Sequence, residues 1–415
     1  MEPLKAIPGT HDILPPDAER WDKLRSQIEQ LMAQYGYGRI ETPHFESVEL
    51  FARGVGATSD IVQKEMYTFS DQGGRPLALR PEGTAGVVRA YLEAGLDRQR
   101  PFWKLWYWGP MFRAERPQKG RYRQFWQFGV EALGAAGPQI DAEQMVLALR
   151  IAAGWGLGAI TMKINSVGDR DCRPAYRRML HAFLTGVSDR LCPDCQRRLE
   201  TNPLRILDCK EEACRAATAD APLLIDHLCP PCAGHFSSVR EFLDLAEAPY
   251  EVDGRIVRGL DYYERTAFEI TSANLGAQSS ILGGGRYDGL SQALGGPAMP
   301  AVGWAAGVER FVLAAGEVKA DTPLLDAFVA TFPETVRAGY QLAESLRARG
   351  FCIDIDYLGR SMKAQLKEAG RSRSRCAIVV GPDEWGRDAV VLRDLARGTQ
   401  EEVPVAQLAD RLRHE

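Results

Sequence analysis

The sequence predicts an α+β chain, with a hairpin-built main domain, a helical segment inserted into it and a small α/β domain at the C-terminal end. Three observations carry this. Residues 105–131 (LWYWGPMFRAERPQKGRYRQFWQFGVE) read as two strands joined by a short basic loop. Between 168 and 249 the strand pattern gives way to helical stretches holding most of the nine cysteines. From residue 325 strands and helices alternate, which predicts a small parallel or mixed sheet. A chain of 415 residues exceeds one ordinary core, so two or three domains are expected. We place them at 1–167 with 250–318, at 168–249, and at 325–415.

The elements follow in order. Residues 17–36 carry Trp21, Leu24, Ile28, Leu31 and Met32 at helical spacing, with Asp17 as the cap and Gly36 as the stop. An extended segment (YGRIETPHF) and a glycine-punctuated helical stretch to about 62 come next. Glu65–Ser70 and Arg75–Leu79 predict a hairpin across Asp71–Gly74. In LRPEGTAGVVRAYLE a strand ends, turns and starts a helix; Glu82 and Thr84 at that turn either cap the helix or project toward a ligand. A helix over 138–153 with Asp141 near its start precedes a strand with Met162 and Ile164. Residues 250–270 predict a hairpin around Asp253–Gly254 and then a strand. GGGRYDGL (283–290) is either a hairpin turn or a close backbone approach. In AVGWAAGVERFVLAAGE, Gly303 and Gly307 adjoin a helix presenting Glu309 and Arg310. Residues 317–324 form a linker. Beyond it, Arg360, Lys363, Lys367, Arg371, Arg373 and Arg375 make a basic segment with Glu368 as its acid.

Composition narrows the class. With 45% hydrophobic and 26% charged residues, the chain has ordinary soluble composition. No apolar run approaches the ~20 residues that span a bilayer, and the N-terminus has no basic-then-apolar signal, so a cytoplasmic protein without membrane contact is expected. A net charge of −4 excludes a globally basic nucleic-acid binder and leaves local patches open. An odd number of cysteines without an export signal argues against a disulfide framework.

In the strand pair, period-two alternation puts Arg121, Arg123, Phe125, Gln127, Gly129 and Glu131 on one face, and Tyr122, Gln124, Trp126, Phe128 and Val130 on the packing face. Arg113 and Glu115 share a face with Tyr107 and Met111. One surface then carries guanidiniums suited to phosphate oxygens, a ring that can stack on a base, and the Gln127 amide and Glu131 carboxyl about 13 Å apart. The alternative is a solvated hairpin face.

Together these pieces resemble the bacterial-type histidyl-tRNA synthetases, a class II aminoacyl-tRNA synthetase family, over nearly the whole chain. RGLDYY (258–263) and GGGRYDGL resemble the two histidine-specific signatures. FRAERPQKGRYRQF (112–125) resembles the second class II motif, GVERFVL (307–313) the third, and Glu41–Pro43 lies where the first, a dimer element, is expected. The resemblance implies an antiparallel-sheet catalytic domain with a helical insertion, an α/β anticodon-binding domain, and a homodimer. It implies that Arg113 holds the ATP α-phosphate and Arg310 the far phosphates, with Arg121 assisting and Phe125 on adenine. Glu82, Gly83, Thr84 and Gln127 would meet the backbone end of L-histidine; Glu131 and Tyr263 would bracket the imidazole, with Tyr262 lining the pocket. Arg258 would sit near the α-phosphate and, with Arg113 and Gln127, carry catalysis. Mg²⁺ would accompany ATP. Arg116, Gln118 and Lys119 would meet the acceptor end of tRNA(His). Trp126 departs from the histidine or tyrosine common there, but alternation turns it away from the ligand side.

Cys192-x₂-Cys195 and Cys229-x₂-Cys232 have the spacing of zinc-ligating knuckles, and a single structural Zn²⁺ held by those four is one expectation. Free thiols are the other, and Cys209 and Cys214 are also available. The chief functional rival is the non-catalytic regulatory paralogue of ATP phosphoribosyltransferase. It shares the catalytic fold but typically loses parts of the ATP and tRNA machinery.

Overall fold

The computed structural model describes residues 3–56, 59–118, 120–257, 262–275, 279–316 and 324–414. They form two compact units, Met1–Glu317 and Val318–Glu415. The strands of the first are β1 (Gly38–Arg39), β2 (Phe45–Ser47), β3 (Thr68–Ser70), β4 (Pro76–Leu79), β5 (Trp103–Phe112), β6 (Gln124–Leu133), β7 (Ile160–Ser166), β8 (Glu251–Val252), β9 (Glu264–Ser272), β10 (Ser280–Arg286) and β11 (Ala301–Gly307). Eight make one sheet in the order β1-β5-β6-β11-β10-β9-β7-β8, and β2-β4-β3 make a small one. The six central strands of the large sheet run antiparallel to one another, and the edge strands β1 and β8 add in parallel.

The β5–β6 ladder runs from Trp103 opposite Leu133 to Phe112 opposite Gln124. Its aromatic and β-branched residues suit a pleated surface covered on both sides. On one side Trp106, Trp108, Phe128 and Val130 join the main core under the helices Asp17–Gln34, Pro138–Gly154 and Pro230–Leu245. On the other, Leu105, Tyr107 and Met111 meet Val87, Val88 and Tyr91 of the helix Thr84–Glu93. The second helix cluster therefore sits on the face that carries Gln127 and Glu131. Trp126 packs edge-on to Trp21, 6.0 Å between ring centres, on the opposite side.

Several sequence expectations are corrected. Alternation holds from Gln124 onward but not before it: Arg123 lies outside the strand and donates to the Pro8 carbonyl at 3.2 Å. Gln124 itself is exposed, at the strand's edge. The helix begins at Asp17, with Pro16 rather than Asp17 in the cap position. Among the described residues there is no hairpin at Asp253–Gly254, and β8 pairs in parallel with β7 instead. Nor are the three glycines of GGGRYDGL a turn; they lie inside β10. A Cβ at Gly284 would stand 2.2 Å from the Gly303 carbonyl oxygen, and one at Gly285 2.3 Å from that of Thr266, so bare backbone lets the three strands close up. Finally, the helix Pro230–Leu245 contributes Phe236, Val239 and Leu243 to the main core, whereas Cys172 through Cys232 build a separate small core.

In the second unit β12 (Leu325–Thr331), β13 (Ile353–Ile355), β14 (Ser374–Val380), β15 (Ala389–Asp394) and β16 (Gln400–Pro404) form a mixed sheet ordered β13-β12-β14-β15-β16. The first three strands are parallel, and the last two add as antiparallel neighbours.

A buried charge cluster joins the helix Pro138–Gly154 to the sheet. Asp141 and Arg286 are both fully buried and paired, with Arg286 Nε 3.2 Å from Asp141 Oδ1, while Nη1 of Arg286 reaches Asp288 at 3.0 Å. His235, from the helix Pro230–Leu245, lies 3.3 Å from the same carboxylate. Burial opposes ionisation of Asp141, but the His235 hydrogen bond and the Arg286 charge outweigh it and hold the carboxyl below its usual range. Asp141→Ala leaves the buried Arg286 with one carboxylate, Asp288, in place of two, so urea unfolding at pH 7 is expected to show a loss of ~3 kcal/mol. Because the folded-state pKa is depressed, this contribution is complete above about pH 4 and is lost as pH falls below it. A gap between parent and variant that stays constant down to pH 3 would contradict this reading.

Candidate active site

The site is built around Glu131, whose side chain is wholly buried in β6. Thr84, at the start of its helix, donates its hydroxyl to Oε1 at 2.8 Å, and the Tyr287 phenol donates to Oε2. Burial pushes the Glu131 carboxyl up to about 8, with the two hydroxyl donors pulling against it and the neighbouring Glu82 adding to it. Gly303, its partner in β11, makes room: a Cβ there would lie 1.9 Å from Oε2.

Glu82 settles into the role the turn allowed for. Its two oxygens accept from the backbone N–H groups of Thr84 at 2.7 Å and Ala85 at 2.9 Å, so the carboxylate caps the helix Thr84–Glu93. Burial raises its pKa and those N–H groups oppose the rise. Gly83 must be bare, because a Cβ would stand 2.5 Å from the Tyr107 ring. Tyr262, Tyr263 and Tyr287 close the pocket, with ring centres 4.7 Å (262–263), 5.5 Å (262–287) and 6.5 Å (263–287) apart. Among the described residues the buried Tyr107 hydroxyl and the buried Gln127 Oε1 have no hydrogen-bond partner. Such groups are costly unless a ligand meets them.

Along the same strand face the pocket opens into a groove lined by Arg113, Arg121, Phe125 and Arg310. Arg113 lies over the Phe125 ring at 5.3 Å and donates Nε to the Pro81 carbonyl at 2.9 Å, which links the groove to the Glu82 turn. Arg310 donates Nε to the Ser280 carbonyl at 2.7 Å. Burial and then the charge of Arg121 lower the Arg310 pKa, as expected where two guanidiniums converge on space for an anion. Arg121 pairs with Glu115 at 3.2 Å. Glu309 accepts from the Trp126 N–H at 2.9 Å, and burial lifts it to about 7.

The structure thus brings Glu82, Gly83, Thr84, Gln127, Glu131, Tyr262 and Tyr263 to one pocket, and Arg113, Arg121, Phe125 and Arg310 to one groove. Arg258 and Lys119 lie outside the described residues. Arg116 and Gln118 are exposed on the loop between β5 and β6. Tyr287 escaped sequence reasoning; it is the residue just after β10, and it reaches Glu131 while Arg286 before it pairs with Asp141. In the second unit, Arg360 is tied to Asp356 and Glu368, and Arg375 to Asp326. Lys363, Lys367 and Arg371 are exposed, as is Tyr357 at 66%.

The two sulfur knuckles do not converge on one another. Cys192 and Cys195 converge with Cys209 and Cys214, whereas Cys229 and Cys232 converge with Cys172 and Asp169. The expected single set of Cys192, Cys195, Cys229 and Cys232 is therefore corrected, because the fold pairs each knuckle with a different stretch of chain.

An antiparallel sheet bearing a polar pocket and an arginine groove, followed by an α/β unit, defines a class II aminoacyl-tRNA synthetase. The sequence profile described as Histidyl-tRNA synthetase matches residues 9–168 and 210–311, and that of the Anticodon binding domain matches 326–415. A histidine–tRNA ligase of Desulforudis audaxviator (strain MP104C) is 50% identical over 412 residues, 98% of each chain. One from Moorella thermoacetica is 50% identical over 407 residues, 97% of this chain and 96% of the other. The structure of apo histidyl-tRNA synthetase from S. aureus superposes with a TM-score of 0.82 at 38% identity, covering 99% of both chains. The chain belongs to the histidyl-tRNA synthetase family.

The raised Glu131 pKa has a measurable sign. Folded protein holds this proton between the ordinary carboxyl range and about pH 8, so the group's presence weakens the fold progressively as pH rises through that window. Glu131→Gln removes the titration while keeping the shape. Urea unfolding is expected to show the variant gaining on the parent by about 1.4 kcal/mol per pH unit between about pH 5 and 8. Parallel stability curves would refute this.

Proposed function

We infer that the chain ligates L-histidine to tRNA(His) by way of a histidyl-adenylate, releasing pyrophosphate and then AMP. The observation that carries this reading is the buried Glu131, held by two hydroxyls, at one end of a strand face whose other end is an arginine-lined groove. The pocket suits a polar ring with two nitrogens, and the groove suits a triphosphate.

In this reading the carboxyl of Glu131 and the phenol of Tyr263 address the two imidazole nitrogens, with Tyr262, Tyr107 and Tyr287 enclosing the ring. A side chain without that donor–acceptor pair leaves buried polar groups unmet and is rejected. The unpartnered Gln127 oxygen accepts from the α-ammonium, and Glu82, Gly83 and Thr84 form the wall beside it. Arg113 takes the α-phosphate, Arg121 and Arg310 the outer phosphates, and Phe125 the adenine. ATP enters as its Mg²⁺ complex; Glu115 and Glu309 line the groove as carboxylates able to meet the ion. The substrate carboxylate is already a nucleophile, so the chain supplies alignment and positive charge rather than a base. Arg258 adds charge at the α-phosphorus. The ribose hydroxyl of the tRNA terminus then attacks the adenylate carbonyl, with Arg116, Gln118 and Lys119 on the acceptor end. Lys363, Lys367, Arg371 and Tyr357 meet the anticodon through phosphate contact and stacking. The protein acts as a cytoplasmic homodimer, and the cysteines of the insertion are structural and hold zinc. Arg113, Arg310 and a separate C-terminal unit favour the ligase over the regulatory paralogue.

Pyrophosphate exchange across the twenty amino acids is expected with histidine alone, followed by charging of tRNA(His); exchange with any other amino acid at a comparable rate would overturn the assignment. Gly303→Ala, which drives a methyl into the Glu131 carboxyl, is expected to raise KM for histidine at least tenfold with little change in KM for ATP. Unchanged histidine KM in that variant removes Glu131 from the pocket. Arg258→Ala is expected to lose exchange by about 10²-fold or more, and normal exchange would end its proposed role.

A further inference from the structure

Seven of the nine cysteines lie between residues 172 and 232, and the fold sorts all of them into two groups with none left over. The first is Cys192, Cys195, Cys209 and Cys214; the second is Cys172, Cys229 and Cys232 with the carboxylate of Asp169. Within each group the four donor atoms lie within 4.8 Å of one another. The contacts Cys192 Sγ to Cys209 Sγ, 4.0 Å, and Cys229 Sγ to Asp169 Oδ1, 3.9 Å, are close to the ~3.8 Å edge of a tetrahedron with metal–sulfur bonds of ~2.3 Å. They are far beyond the ~2.05 Å of a disulfide.

The two groups repeat one local design. Cys192 and Cys229 each occupy the cap position of a helix that continues with proline, at φ −66°, ψ 160° and φ −66°, ψ 157°. Each donates its backbone N–H to a sulfur of the opposing pair at 3.1 Å, Cys192 to Cys214 and Cys229 to Cys172. A backbone N–H aimed at sulfur, repeated at the same position in both groups, is the kind of outer hydrogen bond that orients the ligands of a metal site. A packed apolar core accounts for neither feature. Cys192, Cys209 and Cys229 are only partly buried, and a carboxylate among three sulfurs is no hydrophobic contact. Asp169 is fixed in place by the backbone N–H groups of Asp171 and Cys172 at 3.0 and 3.3 Å, with Arg265 3.6 Å from its other oxygen.

We propose that the chain binds two structural Zn²⁺ ions in its insertion, one held by Cys192, Cys195, Cys209 and Cys214 and the other by Asp169, Cys172, Cys229 and Cys232. Four-donor, sulfur-rich sets suit zinc and leave no open position for chemistry. The sites are nested, since the chain between Cys172 and Cys229 contains the whole of the first. The outer ion therefore clamps the base of the insertion, where Val167 and Gly168 pair with Arg265 and Arg173 donates to the Tyr263 carbonyl. The family match stops at residue 168 and resumes at 210, so five of the eight ligands lie outside it. The proposal stands apart from the ligase reading, because metal content and amino-acid activation are separate measurements.

The full chain, purified without added metal, is expected to contain two zinc ions. Its X-ray absorption spectrum should fit seven sulfurs and one light atom shared between them. Cys209→Ser and Cys172→Ser should each retain one ion, and Asp169→Cys should retain two. Where a variant does not fold, Co²⁺ titration of the stripped parent chain is read instead, with two equivalents giving the thiolate charge-transfer band. Zinc near zero in a chain that still activates histidine overturns the proposal. So does a parent chain that holds only one ion, a Cys209→Ser chain that still holds two, or disulfides among these cysteines in freshly prepared protein.

Discussion

Placing a carboxyl group inside a sheet is the constraint around which this catalytic unit is arranged. Glu131 has no access to water, and each feature near it reduces the cost of that burial. The first residue of a helix supplies one hydroxyl and the residue after β10 supplies another. The opposite strand has only a hydrogen where a side chain would collide with it. The carboxyl is still pushed toward neutrality, which leaves it able to gain from a ligand that brings its own donor. Pocket and fold are thus the same set of contacts.

The segment GGGRYDGL shows how a few residues serve both sides of that sheet. Arg286 turns toward the helices and neutralises Asp141; Tyr287, one position on, turns to the pocket and meets Glu131. Asp288 returns to Arg286 and also accepts from the Ala301 N–H at 2.9 Å. The glycines before them let β9, β10 and β11 approach closely enough for these reaches to connect.

The sequence was most legible where a single element repeated its period without interruption. Phe125, Gln127 and Glu131 alternate along one regular strand, so their shared face could be read directly; Arg121 and Arg123 lie before the strand begins, where period two has no meaning. Asp-Gly at 253–254 looked like a hairpin by local preference, but parallel pairing of β8 with β7 is a tertiary outcome that no turn propensity encodes. The glycines of β10 were ambiguous for a similar reason, because their role depends on backbone from two other strands. The cysteines failed most instructively. Spacing identified two knuckles, yet which sulfurs face which depends on how the chain folds back, and Asp169 has no sulfur to attract notice.

The neighbouring guanidiniums of Arg121 and Arg310 have a further consequence. Held in a partly desolvated groove, Arg310 has its charge disfavoured by burial and then by Arg121, a strain like that of a compressed electrostatic spring. An anion between them releases that compression in addition to its own attraction. Dissolved salt relaxes the spring and screens the anion together, within about 8 Å at physiological ionic strength. Nucleotide capture should therefore weaken with rising ionic strength more steeply than capture of an uncharged ligand by the adjoining pocket.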